Sequence, residues 1–296
     1  MTLKRAVALV TLMLPGLAHA ADPAPAAPPT VLKSDKPVTI DGALDEACWQ
    51  SASSVPVQFN MGKVGEADPA PVMTAKFSWD ENYLYIAYET FDKNLVGVSN
   101  GQKQGPANNQ REGCEIALPD QKIDVVEFFV SFGDPNFMWE IHQNALNQFN
   151  DVYVVVPDPS WPVSKTTAHN FGQIFCPQEF IKDDETFTVA SAVKLKPKAD
   201  GKPSTPNDPS DEDTGYTGEI RIPWKSLGIP IDWKAAAPAT GWNLAGHDVS
   251  LLAVCQDGDR ELRYHHSAST FPGGWFHQGA KQWPVYQFTA PSPATK

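Results

Sequence analysis

The sequence TAKFSWDENYLYIAY, residues 74–88, sets the fold class of this chain. Apolar and polar side chains alternate over residues 74–79, and residues 83–88 alternate again with a high content of aromatic side chains. Both features are typical of β-strands, in which successive side chains point to opposite faces of a sheet. Asp80, Glu81 and Asn82 between the two runs are typical of a turn, so the stretch predicts a β-hairpin.

A second hairpin is predicted, with strands over residues 125–132 and 137–144 and a turn at residues 133–136. This turn places Glu127 directly opposite His142. One face of the hairpin, the apolar face, is predicted to lie in the core and carries Phe128, Val130, Phe132, Phe137, Trp139 and Ile141. The other face, the mixed face, carries Glu127, Phe129, Ser131, Met138, Glu140 and His142, with Asn144 beside them opposite Val125.

Further short strands are predicted over residues 187–195, 216–222, 249–255, 261–266 and 283–288. The helical segments are short and cover residues 45–52, anchored by Trp49, and residues 223–227. The irregular segment 156–180 and the polar, proline-rich segment 196–215 predict long surface loops. Many short strands separated by Pro and Gly turns predict an all-β protein, an antiparallel β-sandwich of immunoglobulin-like or jelly-roll-like type.

The two ends of the chain are predicted to lie outside the folded domain. A basic start, an apolar run and the small residues of Ala18-His19-Ala20 are typical of a signal peptide over residues 1–20. Residues 21–30 form a Pro/Ala-rich linker, residues 31–290 a single domain, and residues 291–296 a tail. We therefore predict an exported protein, periplasmic or extracellular, that starts at Ala21 and has no membrane span.

The charge of the chain narrows the classes of partner, and its cysteine content predicts disulfides. Without residues 1–20 the chain has 21 Lys and Arg residues against 35 Asp and Glu residues, a formal charge of −14. A nucleic-acid-binding protein needs a basic surface, so nucleic acid is excluded as a partner. The four cysteines are predicted to form two disulfides in an oxidising compartment, with three connectivities open: Cys48, Cys114, Cys176 and Cys255.

Six segments of the chain, taken in order, resemble the family 9 carbohydrate-binding modules, within the wider DOMON-like group of β-sandwiches. They are IDGALDEACW (40–49), FSWDENYLYI (77–86), DVVEFF (124–129), GEIRIPW (218–224), GWNL (241–244) and the closing segment 275–288. The resemblance covers residues 31–288, nearly all of the chain after the signal peptide. It implies a β-sandwich whose partner is a carbohydrate, either an oligosaccharide or a polysaccharide.

The resemblance also implies where a sugar would bind. In sugar-binding members two tryptophans enclose the terminal sugar, and Trp275 lies where the second of them would fall. Residues 118–123, where the first is expected, contain no aromatic side chain. Trp161 in the loop 156–180 is a second candidate platform, because the C–H face of a sugar stacks on an aromatic ring.

Polar contacts to the sugar are expected from the mixed face. Glu127 lies where sugar-binding relatives carry an acid that contacts the ligand. The register of the second hairpin brings other polar side chains to the same face. We therefore predict Glu127, Glu140, His142 and Asn144 as polar ligand contacts.

The sequence does not predict an enzyme. Asp124 and Glu127, the obvious carboxylate pair for glycoside hydrolysis, are three residues apart on a strand and so point to opposite faces. The acidic runs 183–185 and 211–213 lie in predicted loops and are interpreted as solvated segments. No Gly-x-Ser-x-Gly nucleophile motif occurs in the chain.

Two cofactors are considered. The resemblance allows a structural Ca²⁺ ion, although no loop has the ligand spacing of a known calcium motif. Haem is considered because DOMON-like relatives include cytochromes with Met and His ligands. Met138 and His142 lie on one face about 13 Å apart and cannot bind one iron axially, which leaves Met61 or Met73 with a histidine.

We predict a non-catalytic carbohydrate-binding protein that recognises saccharide chains or their ends. Three alternatives are kept: an exported structural or interaction domain of the same fold without sugar binding, a haem-binding DOMON-like protein, and a part of a glycoside-degrading system. The absence of an aromatic residue at 118–123 favours the first alternative. Trp275 and the polar pair Glu127 and His142 favour sugar binding.

Overall fold

The computed structural model describes residues 29–60, 71–97, 123–131, 137–155, 173–175, 189–224, 248–257, 262–266 and 283–289. Within these ranges the chain forms one short helix, α1 (Ala47–Ser51), and thirteen strands. The strands are β1 (Thr30–Lys33), β2 (Val55–Asn60), β3 (Met73–Trp79), β4 (Tyr83–Thr90), β5 (Val125–Ser131), β6 (Phe137–Gln143), β7 (Phe149–Val155), β8 (Gln173–Phe175), β9 (Ala190–Leu195), β10 (Tyr216–Pro223), β11 (Asp248–Asp257), β12 (Leu262–His266) and β13 (Val285–Thr289). The prediction of an all-β protein with little helix is confirmed.

The strands form one continuous, curled sheet in the order β8-β7-β6-β5-β11-β12-β2-β3-β4-β10-β9. Strand β1 pairs with β13 and β3, and β13 also pairs with β11. Both pairings of β1 are parallel, whereas all other described pairings between strands are antiparallel. The predicted antiparallel arrangement therefore holds for every described pairing except those of β1, which inserts between β3 and β13.

The two halves of the curled sheet pack face to face around one core. Phe77 of β3 and Tyr88 of β4 contact Phe128 of β5, with ring centroids 6.4 Å and 5.5 Å apart. Tyr88 also packs edge-on against Tyr216 of β10 at 5.8 Å. These contacts make the sheet a sandwich, since apolar side chains from both halves fill the space between them.

The hairpin of β3 and β4 has the predicted strands and turn. Trp79 pairs with Leu84, and the pairing continues to Met73 and Thr90. The Asp80 carboxylate shapes the turn, because its Oδ1 atom accepts the backbone N–H groups of Asn82 and Tyr83 at 2.7 and 2.8 Å. Such an acidic side chain bonding to the backbone two residues later is a common turn device.

The hairpin of β5 and β6 has the predicted register. Glu127 pairs with His142, Phe128 with Ile141 and Val130 with Trp139. Phe128, Val130, Trp139 and Ile141 all lie in the core, as predicted for the apolar face. The turn 133–136, Phe132 and the side chain of Phe137 lie outside the residues described above.

Trp49, the predicted anchor of the first helical segment, is fully buried, and so are Trp79 and Trp224. Trp242 lies outside the described residues. Met73, one of the methionines considered for haem, is part of the hydrophobic core, and its role as a haem ligand stays untested. Met61, the other one, lies outside the described part of the chain.

The disulfide prediction is not met at the two cysteines that the structure describes. Cys48 is half-buried at α1 and Cys255 is buried in β11, and neither forms a disulfide. Burial raises the pKa of the Cys48 thiol, so this thiol is less reactive than an exposed one. Cys114 and Cys176 lie outside the described residues.

Acidic side chains hold the segment 196–215 in place through bonds to the residues after β4 and within the segment itself. The Asp213 carboxylate is 2% exposed and accepts the backbone N–H groups of Leu95 and Thr205 at 2.9 and 2.6 Å. Lys198 forms an ion pair with Asp211. The interpretation of the run 211–213 as solvated is therefore wrong for Asp213 and holds for Glu212, whose side chain is 69% exposed.

The predicted signal peptide and tail, residues 1–20 and 291–296, lie outside the described residues and stay predictions. The same holds for the acidic run 183–185. Strand β1 begins at Thr30, the last residue of the predicted linker. Of the helices in the described ranges, none has the length and apolar character needed to cross a membrane.

Candidate functional site

The mixed face of the β5–β6 hairpin brings together two carboxylates and one imidazole. Glu127 lies on β5 directly opposite His142 of β6, and Phe129 lies opposite Glu140. Glu140 and His142 are two residues apart on one strand, so both side chains point to the same face. The sequence predicted this juxtaposition, because register and alternation are enough to derive it.

These side chains are close enough to act as a unit. His142 Nε2 lies 2.8 Å from Glu140 Oε1. One donor atom from each of Glu127, Glu140 and His142 lies within 4.8 Å of the other two. We call these three residues the EEH cluster. An imidazole nitrogen and two carboxylate oxygens are groups that bind a metal ion or exchange a proton.

The EEH cluster is buried, which its sequence did not predict. Glu127 is 3% exposed, and Glu140 and His142 are 6% exposed. An apolar contact lies on the same face, since the Phe129 ring packs against Trp283 with centroids 5.4 Å apart. A sugar could reach these polar groups only after rearrangement of the residues that cover them.

Asn144 is buried and bonded within the protein, whereas a ligand contact is expected to be accessible. It is fully buried, and its Oδ1 atom accepts the backbone N–H groups of Leu146 and Gln148 at 3.0 and 3.1 Å. Its Nδ2 atom donates to Gln148 Oε1 at 2.7 Å. These bonds stabilise the turn between β6 and β7, and the sugar contact predicted for Asn144 stays a prediction.

Trp275 and Trp161, the two predicted stacking platforms, lie outside the described residues. Their roles therefore stay predictions. Asp124 is described and has a structural role. Its Oδ2 atom accepts the backbone N–H of Val96 at 2.5 Å, and its own N–H donates to the Val96 carbonyl at 2.8 Å.

Glu219 of β10 is a second buried carboxylate site, which sequence reasoning missed. Its Oε2 atom accepts the N–H groups of Asp41 and Gly42 at 3.0 and 2.8 Å, and its Oε1 atom accepts Trp49 Nε1 at 2.8 Å. Burial raises the pKa of Glu219 to about 7, although the three N–H donors lower it. The partners lie about 170 residues earlier in the chain, so no local pattern could indicate them.

Gly42 is required at this contact. Its φ of 79° is in the left-handed region that favours glycine, and a Cβ atom would lie 2.9 Å from the backbone of Val193 and Lys194. Glu219 and Gly42 together hold the IDGALDEACW segment against β9 and β10. The site is therefore structural, because both carboxylate oxygens accept N–H groups of the protein itself.

A cavity of about 570 Å³ lies between β1 and α1. Lys33, Ser34, Lys36, Glu46 and Cys48 are among the side chains that line it. This size is in the range of small-molecule sites. The described part of the lining contains no aromatic residue and so offers no stacking surface for a sugar.

One family profile matches the chain. Residues 40–133 match the family described as carbohydrate family 9 binding domain-like. This segment includes α1, β2, β3, β4 and β5. It contains Glu127 and ends before Glu140 and His142. No curated protein matches the chain in sequence.

Solved structures share the fold at low sequence identity. Two of them are structures of a family 9 carbohydrate-binding module from Caldicellulosiruptor kristjanssonii, one in complex with cellotriose and one with glucose. Each is 14% identical to this chain with a TM-score of 0.48. The matches cover 90% of this chain, and they cover 96% of the cellotriose structure's chain and 99% of the glucose structure's chain. A candidate carbohydrate-binding protein from Bacteroides uniformis has a TM-score of 0.52 at 13% identity, covering 88% of this chain and 100% of that one.

The family match and the shared fold confirm the resemblance derived from the sequence. The chain is a β-sandwich protein. More particularly, its residues 40–133 are similar to the carbohydrate family 9 binding domain-like family.

Proposed function

We propose that this protein is an exported, non-catalytic carbohydrate-binding protein that recognises saccharide chains or their ends. The observation that carries the proposal is the match of residues 40–133 to the carbohydrate family 9 binding domain-like family. The matched segment runs through β5, the strand that carries Glu127. The partner is a poly- or oligosaccharide.

The sugar site would combine an aromatic platform with polar contacts. Trp275 supplies the ring, since its place in the sequence matches the second tryptophan of sugar-binding relatives. Glu127, Glu140, His142 and Asn144 supply the candidate polar contacts, and Trp161 is a second platform. In such sites the ring contributes apolar contact, and a few polar groups select the hydroxyl pattern.

The test is a glycan-binding experiment with matched variants. The purified protein is screened on a glycan array, and binding to cello-oligosaccharides and glucose is measured by titration calorimetry. Trp275→Ala should weaken sugar binding by about 1–3 kcal/mol, by analogy with base stacking on aromatic rings. Phe91→Ala is the matched control, because Phe91 is an exposed aromatic residue elsewhere, 43% exposed.

Two outcomes would contradict this proposal. The first is the absence of binding to every saccharide tested. The second is equal binding by wild type and Trp275→Ala, which would exclude Trp275 as the platform. A large loss of thermal stability in Trp275→Ala would assign this residue to the core.

A second candidate function is favoured by the burial of the mixed face. Glu127, Glu140 and His142 are at most 6% exposed, and Asn144 is fully buried. A module that had lost sugar binding and kept the fold as an interaction or structural domain would tolerate such burial. A negative glycan array would support this candidate.

A further inference from the structure

The EEH cluster has the donor set and spacing of a metal site. Its three donor atoms all lie within 4.8 Å of one another. A cation bound at about 2.0–2.2 Å needs ligand atoms about 3–4 Å apart, so small side-chain rotations suffice to close the site. From this geometry we infer that Glu127, Glu140 and His142 bind one divalent transition-metal ion of the zinc type.

The donor chemistry selects the class of metal. Ca²⁺ and Mg²⁺ take oxygen ligands, whereas Zn²⁺ and its first-row neighbours accept a mixture of imidazole nitrogen and carboxylate oxygen. The cluster offers one nitrogen from His142 and oxygens from two glutamates. It therefore does not fit the structural Ca²⁺ ion that the family resemblance allows. In the described part of the chain, it is the one group of this kind whose donor atoms come so close.

Charge and burial favour a cation at this place. Two carboxylates held within a few ångströms in a buried site repel each other, and removal from water penalises both charges. A divalent cation offsets both and converts the repulsion into three coordinate bonds.

The backbone holds the ligands in place before the metal binds. Glu127 lies on β5, which is paired with β11 on one side, where Val254 is its partner, and with β6 on the other. His142 lies on β6, which is paired with β5 and with β7. The ligands therefore come from two neighbouring strands in the interior of the sheet, and a metal ion needs only side-chain adjustment.

Three protein ligands leave at least one coordination position open. In zinc sites with three protein ligands the fourth position is taken by water or by an added ligand. The same three side chains are candidate polar contacts of the proposed carbohydrate function, and metal binding is tested separately from it. Metal binding is measured without sugar, so either result can fail while the other stands.

The experiment is a Zn²⁺ titration of chelator-treated protein followed by calorimetry. Wild type should bind one tight equivalent of Zn²⁺ and melt at a higher temperature with the metal. Glu140→Gln and His142→Gln should each weaken this binding at least about tenfold, because each removes a ligand. Ca²⁺ in the same titration should not bind with comparable affinity.

The matched control is Glu212→Gln. It makes the same chemical change as Glu140→Gln at a side chain that is 69% exposed and pairs with Lys93. Its Zn²⁺ affinity should equal that of wild type. Equal affinity in wild type, Glu140→Gln and His142→Gln would overturn the proposal, as would the absence of a tight equivalent in wild type.

A crystallographic measurement keeps the test decisive if a buried variant fails to fold. Wild-type crystals grown with Zn²⁺ are measured at the zinc absorption edge. An anomalous peak about 2.0–2.3 Å from donor atoms of all three residues is expected. A peak at other residues, or no peak in protein saturated with Zn²⁺, would overturn the assignment.

Discussion

The two buried carboxylate sites of this molecule differ in what surrounds them. Glu219 accepts three N–H groups, from Asp41, Gly42 and Trp49, so its oxygens are directed at donors of the protein itself. In the EEH cluster a carboxylate lies beside another carboxylate and an imidazole, with His142 Nε2 2.8 Å from Glu140 Oε1. Both sites are almost completely shielded from water.

This difference distinguishes the structural carboxylate of Glu219 from the cluster that we propose as a metal site. Three N–H donors bonded to one carboxyl group connect distant segments, which stabilises the fold. A pair of carboxylates with one imidazole offers the oxygen and nitrogen donors of a metal site. Burial alone therefore does not assign a function. The chemistry of the neighbours does.

The largest effect is expected at Glu219. Glu219→Ala would leave the N–H groups of Asp41, Gly42 and Trp49 without their acceptor and should lower the free energy of unfolding by about 3 kcal/mol or more. Urea denaturation at pH 8 measures this change. A loss below about 1 kcal/mol would show that water or another group replaces the carboxylate.

The pH dependence of stability should also depend on Glu219. The folded protein keeps the proton of this carboxyl up to about pH 7, whereas an exposed glutamate loses it near pH 4.5. The folded state therefore binds more protons between these values, and the contribution of Glu219 to the free energy of unfolding falls as the pH rises through this window.

Below about pH 4.5 the stabilising contribution of Glu219 is fully present, and above about pH 7 it is lost. Urea denaturation at pH 5 and pH 8 measures the difference for wild type and for Glu219→Gln. The variant should show a weaker dependence on pH. An identical dependence in both proteins would contradict the raised pKa.

A smaller effect on stability is expected in the EEH cluster. Glu140→Gln removes one of two neighbouring carboxylates and keeps a side chain of similar shape, so the metal-free variant should lie within about 1 kcal/mol of wild type. Thermal denaturation with and without Zn²⁺ tests this prediction. A large loss in the metal-free state would make Glu140 structural, as Glu219 is.

The smallest effect is expected at Glu212, on the surface. Its ion pair with Lys93 has a distance of 2.8 Å, yet the two side chains are 69% and 81% exposed. Exposed pairs contribute little to stability, so Glu212→Gln should change the free energy of unfolding by less than about 0.5 kcal/mol. Urea denaturation checks this value, and a larger change would mean that the segment 196–215 depends on this pair.

Local pattern was enough to predict much of the fold and the composition of the EEH cluster. Alternation over residues 74–88 gave the first hairpin, and a four-residue turn fixed the pairing of Glu127 with His142 in the second. A one-residue slip would have moved every side chain to the other face. The sequence therefore determined which residues share a face, because strand periodicity and turn length are properties of neighbouring residues.

Only the tertiary structure decided what those faces contact. It placed Glu219 against Asp41, 178 positions earlier, inserted β1 in parallel beside β3 and β13, and buried Asp213 beneath Leu95. It also covered the mixed face, which alternation alone would leave open to solvent. These features are contacts between segments that lie far apart in the chain. The periodicity of side chains within one segment does not predict which distant segment it will contact.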